Sequence, residues 1–94
     1  MESVFIQVSN ILKEIKAFID VPNADTSWSG YDTAQDLIMD LNKYIKRSEE
    51  SDETVIKEIS LLFAPTGAFQ EISIDNGWSD EFIEISERFD DIVD

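Results

Sequence analysis

The sequence predicts an all-α fold, a single-domain bundle of four to five short helices that spans residues 1–94. Apolar residues recur at i, i+3, i+4 and i+7 over most of the chain, which is the spacing of an amphipathic helix. Pro, Gly and short polar runs separate these stretches. A chain of 94 residues that is 43% hydrophobic can bury one core and leaves no room for a second. Helices with one apolar stripe each pack most simply around such a shared core.

The first helix is predicted over residues 4–20. Ser3 is placed to cap its start, and Pro22 ends it because proline lacks an N–H and restricts the residue before it. The residues that follow, 22–31, are small and polar around a single Trp28 and predict the main loop. The apolar stripe of this helix consists of Val4, Phe5, Val8, Ile11, Leu12, Ile15, Phe18 and Ile19.

The second helix is predicted to begin after Asp32, which forms a capping-box pattern with Gln35. Its apolar stripe consists of Ala34, Leu37, Ile38, Leu41, Tyr44 and Ile45. A third helix over residues 54–63 is expected to be capped by Ser51 or Asp52. Its apolar stripe consists of Val55, Ile56, Ile59, Leu62 and Phe63.

Residues 68–76 are open to two interpretations. Phe69 and Ile72 suit a short helix that Gly77 would close, whereas the alternation of apolar and polar residues over 72–75 suits a strand. We expect the helix, because the sequence offers no second strand with which this one could pair.

The last helix is predicted to begin with Ser79 as its cap. Trp78, just before the cap, can pack on Ile83 as a hydrophobic staple. The negative charges of Asp80 and Glu81 in the first turn interact favourably with the helix dipole. The apolar stripe of this helix consists of Phe82, Ile85, Phe89 and Ile92.

Composition excludes several classes of function. The chain has no Cys and no His, so it lacks thiol nucleophiles, zinc-thiolate ligands and the most common general base. We therefore expect a protein that is not an enzyme and that has no cofactor or metal. The net charge of −14 disfavours nucleic acid and anionic lipid as partners. No apolar run is long enough to cross a bilayer and no basic leader precedes the first helix, so we expect a cytoplasmic protein without a membrane contact.

The densest charge lies near the C-terminus, where residues 80–94 contain seven acids and one base. Glu84, Glu87 and Asp91 are three and four residues apart and form a row on one helix face. We predict that a partner rich in Lys or Arg binds this row, with Asp80 and Glu81 beside it. The alternative is a face that is only solvated.

A second acidic cluster is predicted to contribute to the same surface if the fold brings it beside the last helix. It consists of Glu49, Glu50, Asp52 and Glu53, followed by Glu58. Trp28 and Trp78 are candidate partner contacts, because aromatic rings among acids suit a protein interface. The alternative for both is a place in the core.

The stretch Asn23-Ala24-Asp25-Thr26-Ser27, directly after the first helix, resembles the corresponding stretch of the colicin nuclease immunity proteins. That family consists of small acidic bacterial helical bundles that neutralise basic nuclease toxins. The paired tyrosines of the family's toxin-contacting turn have no counterpart here, where Tyr44 stands alone. The resemblance therefore implies a class of function, and no contact residue is carried over.

Two hypotheses follow. The first is a binding module for a basic protein, an immunity- or antitoxin-like inhibitor of a target such as a nuclease toxin. The alternative is a structural or regulatory helical protein that self-associates and whose acidity serves only solubility. The sequence leaves both monomer and dimer open.

Overall fold

The apolar stripes of the sequence form five α-helices in the structure, a computed structural model that describes residues 3–21, 33–64 and 67–93. They are α1 (Val4–Ile19), α2 (Ala34–Glu49), α3 (Glu53–Phe63), α4 (Ala68–Asn76) and α5 (Ser79–Val93). These described ranges contain no strand. The prediction of an all-α bundle is confirmed, and the ambiguous residues 68–76 form a helix.

The caps at the helix starts agree with the sequence at α1 and α3 and differ from it at α2 and α5. The Ser3 hydroxyl accepts a hydrogen bond from the Ile6 amide at 3.2 Å, and the Asp52 carboxylate accepts one from the Thr54 amide at 3.0 Å. At α2 the predicted cap, Asp32, was wrong, because the N-cap is Thr33. Two capping residues stand next to each other there, and spacing alone could not decide which of them begins the helix.

A glycine turn links α4 to α5. Gly77 has φ of 80°, its amide donates to the Ile74 carbonyl at 3.4 Å, and the Trp78 amide donates to the Ser73 carbonyl at 2.9 Å. This pair of hydrogen bonds is a Schellman motif, which ends a helix with a left-handed residue. The Phe82 amide then donates to the Trp78 carbonyl at 2.9 Å, so Ser79 is the first residue of α5 and the predicted Ser79 cap was one residue late.

All five helices contribute to one apolar core. Eighteen hydrophobic residues are buried in it, and α1 packs against both α2 and α5. The Phe63 ring lies at the centre of an aromatic group, with ring centroids 4.3 Å from Phe89, 5.0 Å from Phe69 and 6.0 Å from Phe82. These rings fix α3, α4 and α5 against one another.

No helix in the described part of the chain combines the length and the apolarity that a membrane span requires.

Candidate protein-binding surface

Charge is distributed unevenly over the helices. Residues 67–93, which form α4 and α5, contain eight acids and one base, a net charge of −7. Residues 3–21 contain two acids and two bases, and residues 33–64 contain seven acids and four bases, a net charge of −3. The α4–α5 end of the molecule therefore holds most of the negative charge of the described residues.

The predicted row on the last helix lies on its solvent side. Asp80, Glu84, Glu87 and Asp91 follow one another at intervals of four, three and four residues, and all are exposed. We call these four residues the α5 acidic strip. None of their carboxylates forms an ion pair with another described residue. Like charges at this spacing repel by a few tenths of a kcal/mol per pair, which a cationic partner would relieve.

Glu81, the fifth predicted residue of this helix, is exposed at the edge of α5 that faces α1. It lines a crevice of about 190 Å³ together with Glu14, Phe18 and Arg88. The structure therefore places Glu81 beside the α5 acidic strip, as the sequence predicted, and turned towards α1.

The one base of α5 is held by α1. Two nitrogens of Arg88 donate to the two carboxylate oxygens of Glu14, at 3.0 and 2.6 Å. This pairing lowers the pKa of Glu14 below its ordinary value, mainly through the hydrogen bond from Arg88. It raises the pKa of Arg88 for the same reason. Glu84 adds a weaker electrostatic attraction on Arg88, but the hydrogen bonds and the ion pair of this base go to Glu14, so no carboxylate of the α5 acidic strip has an ion pair with it.

The second acidic cluster, in contrast, contains its own counter-charges. Arg47 forms ion pairs with Asp52, at 2.9 Å, and with Glu58. The hydroxyl of Thr54 first, and then Arg47, hold the pKa of the Asp52 carboxyl below its usual range. The Arg47 pKa is raised by the same two carboxylates. Sequence reasoning missed this role of Arg47, although a base in the last turn of α2, just before an acidic run, was a usable signal.

The remaining members of that cluster are exposed. Glu49 forms an ion pair with Lys13 of α1 at 3.8 Å, whereas Glu50 and Glu53 form none with a described residue. The side chains of Lys13 and Glu14 leave α1 in directions about 100° apart. Glu49 and Arg88 thus pair with adjacent residues of α1 that point in different directions, and no ion pair between described residues links the cluster to the α5 acidic strip.

The two candidate tryptophans have different outcomes. Trp28 lies outside the described residues. The prediction that Trp78 contacts a partner was wrong, because its side chain is only 5% exposed. Its ring stacks on the ring of Phe18, with the two centroids 4.8 Å apart. The predicted staple contact is not what holds it, since Ile83 is 55% exposed while Trp78 packs edge-on against Phe82. Trp78 stands four residues before Phe82 and seven before Ile85, so the helical spacing that predicts the apolar stripe of α5 was a usable signal for its burial.

An apolar groove between α4 and α5 is a feature that the sequence analysis did not identify. Ile74 and Ile83 are each 55% exposed and line a cavity of about 330 Å³ whose floor includes Phe82. A second cavity of about 410 Å³ shares Gln70 and Phe82 with the first and lies along α5 on the side of α3, where Ser60 and Phe63 line it. The available signal was Ile83 itself, an isoleucine that lies off the apolar stripe of its helix.

In the described ranges, no group of three or more Asp, Glu, His or Cys side chains is arranged to hold a metal ion. Comparison of the chain with known protein families, with characterised proteins and with solved structures found no match.

Proposed function

We propose that this protein is a stoichiometric binding module for a basic protein, an inhibitor of the immunity or antitoxin kind that acts on a target such as a nuclease toxin. Its binding surface is the α5 acidic strip together with Glu81. The observation that supports this proposal most is the net charge of −7 on residues 67–93, which form α4 and α5. The one base among these residues, Arg88, is paired with Glu14 of α1.

The strip suits this role because carboxylates spaced along a rigid helix can occupy positions where a basic protein binds phosphates. A partner that presents Lys or Arg gains charge-assisted hydrogen bonds and relieves the repulsion within the strip. Unpaired surface charges also steer the encounter, which raises association rates by about 10- to 1000-fold at low salt. A target protein would thus be captured quickly and its cationic site covered.

The distribution of charge assigns different weights to the predicted residues. Glu50 and Glu53 are exposed without an ion pair to a described residue and can add to the long-range field. Asp52 caps α3 and forms an ion pair with Arg47, so its negative charge is already compensated within the fold. We assign Glu49, Glu50, Asp52 and Glu53 a secondary part in steering, and the α5 acidic strip the direct contact.

Self-association is the second candidate. Met39 and Leu61 are 58% and 72% exposed, so apolar surface is available away from α5. Sedimentation at micromolar concentration separates the two functions, because self-association requires a dimer or larger and the binding module does not.

The test of the proposed function uses two charge-matched triple variants in a pull-down from the native host. One is Glu84→Gln, Glu87→Gln, Asp91→Asn, and the other is Glu49→Gln, Glu50→Gln, Glu53→Gln. Each removes three negative charges from exposed positions. We expect the unaltered protein to recover a basic partner, and the α5 triple to lose at least tenfold in affinity for it.

The second triple serves as the control for net charge. We expect it to change affinity by less than about threefold, because Glu49, Glu50 and Glu53 act only through the long-range field, which salt screens. Recovery of no basic partner, or equal losses in both triples, would contradict the assignment of the α5 acidic strip as the binding surface.

A further inference from the structure

We propose that the groove between α4 and α5 docks an amphipathic α-helix of the partner protein, with its apolar side on Ile74 and Ile83 and its basic residues on the adjoining carboxylates. This inference rests on the proposed function and specifies the form of the partner segment.

The groove has the shape that a helix requires. It consists of a cavity of about 330 Å³ between α4 and α5 and a cavity of about 410 Å³ between α3 and α5, and Gln70 and Phe82 line both. The 15 residues of α5 that run beside it extend over about 20 Å, which is close to four helical turns. Small side chains border it on the α5 side at Ser79 and Ser86, so a second helix can approach the α5 backbone closely.

The apolar contacts lie at one end of the groove. Ile74 on α4 and Ile83 on α5 face the same cavity and are both more than half exposed. Burying two such side chains contributes to binding in the same way as the apolar anchors of other helix-in-groove complexes. Ile74 and Ile83 share one cavity, whereas the exposed Met39 and Leu61 line neither of the two cavities.

The charges around these contacts determine which helix fits. Glu71 precedes Ile74 by three residues, Asp80 precedes Ile83 by three, and Glu87 follows it by four, so each isoleucine has a carboxylate on the neighbouring turn. An occupant with apolar residues in the centre and Lys or Arg on both sides matches this pattern. A second copy of the chain does not, because it would bring its own net charge of −7 against the first.

The inference can be tested with a synthetic peptide before the partner is known. The probe is an 18-residue peptide of Leu, Lys and Ala with Leu at i, i+3, i+4 and i+7, and the reference is a scrambled peptide of identical composition and charge. Affinity for the full chain is measured by fluorescence anisotropy at 0.15 M salt. We expect the amphipathic peptide to bind at least tenfold more tightly than the scrambled one.

Variants then locate the binding site. Ile74→Ser with Ile83→Ser should weaken the amphipathic peptide about tenfold, while the matched control Met39→Ser with Leu61→Ser should change its affinity less than twofold. All four positions are exposed, so both variants are expected to fold, and thermal unfolding checks this.

Equal affinity of the two peptides, or equal effects of the two variants, would overturn the groove as the docking site. The scrambled peptide tests the proposed function separately. If the groove fails either of these tests while the α5 triple variant still weakens both peptides, the acidic strip stands as the binding surface and only the groove is lost. If the triple variant weakens neither peptide, the proposed function fails as well.

Discussion

Single residues decide how α5 is attached to the rest of the molecule. Trp78 stacks on Phe18 with an interplanar angle of 16°, and Arg88 forms a two-bond ion pair with Glu14, so both ends of this attachment reach α1. The sequence predicted neither contact, because both join residues far apart in the chain. The burial of Trp78 itself agrees with helical spacing, because Trp78 stands four residues before Phe82 and seven before Ile85 on the apolar stripe of α5.

Replacing Trp78 tests its assignment to the core. Trp78→Ala should lower the free energy of unfolding by about 3–5 kcal/mol, the usual loss for a buried large aromatic residue. Ile83→Ala, five residues later and exposed, should change it by less than about 0.5 kcal/mol. Urea unfolding followed by circular dichroism measures both. A loss below about 1 kcal/mol for Trp78→Ala would contradict the buried position.

The ion pair between Glu14 and Arg88 predicts that the stability of the fold depends on pH. Because the pKa of Glu14 is lowered in the fold, its ion pair stabilises the protein above the ordinary value of 4.5 and loses this contribution as the pH falls through the lowered value. With the Glu14 side chain 44% exposed, solvent screening limits the contribution to less than about 1 kcal/mol. Glu14→Gln should therefore be less stable than the unaltered protein at pH 7, and equally stable near pH 2.

That difference is measured by urea unfolding of both proteins at several pH values. Comparing the two proteins at each pH cancels the repulsion among the other carboxylates, which acid also relieves. A stability difference that persists undiminished near pH 2 would show that Glu14 acts through packing instead of through its charge.

At the scale of elements, the sequence predicted four helices from their apolar stripes and end signals, and a fifth, over residues 68–76, as the favoured of two interpretations. Residues 68–76 were ambiguous because the polarity of residues 72–75 alternates as in a strand, while Phe69 and Ile72 are spaced as in a helix. The glycine that follows them decided in favour of a helix, since Gly77 adopts the left-handed conformation of a helix end. The cap of α2 and the start of α5 were each displaced by one residue, which is the usual uncertainty at helix ends.

Gly77 provides a test at this scale. Gly77→Ala should lower the free energy of unfolding by about 1–2 kcal/mol, because φ of 80° is unfavourable for an L-residue with a Cβ. No heavy atom lies within 4 Å of the position that this Cβ would occupy, so the loss would come from backbone conformation and not from a clash. Gly77→Asn should lose less, because Asn tolerates the left-handed region. Thermal unfolding compares the two, and equal losses would contradict this cause.

At the scale of the whole molecule, the sequence predicted the α5 acidic strip because positions on one helix are fixed by spacing alone. It could not predict how the acidic cluster at residues 49–53 is compensated, because one of its cations, Lys13, comes from another helix. It also did not predict the α4–α5 groove, which arises only when two helices pack. Net charge is a property of composition, whereas its concentration on α4 and α5 is a property of the fold.

The excess of negative charge should make the fold sensitive to salt. Screening shortens the range of repulsion from about 30 Å at 0.01 M salt to about 6 Å near 0.3 M. The melting temperature should therefore rise over this range, because repulsion among carboxylates with a net charge of −14 outweighs the few exposed ion pairs. Scanning calorimetry in NaCl measures it, and a falling melting temperature would contradict this balance of charges.

The concentration of negative charge on α4 and α5 is tested most directly by paramagnetic relaxation of backbone amides. A cationic nitroxide and a neutral one of the same size are added in turn at low salt, and the ratio of their effects is compared along the chain. We expect the highest ratios at exposed amides of residues 67–93 and lower ratios over residues 3–21, where the charges cancel. Equal ratios in the two regions would mean that the negative potential is not concentrated on α4 and α5. That result would contradict the assignment of the α5 acidic strip as a binding surface.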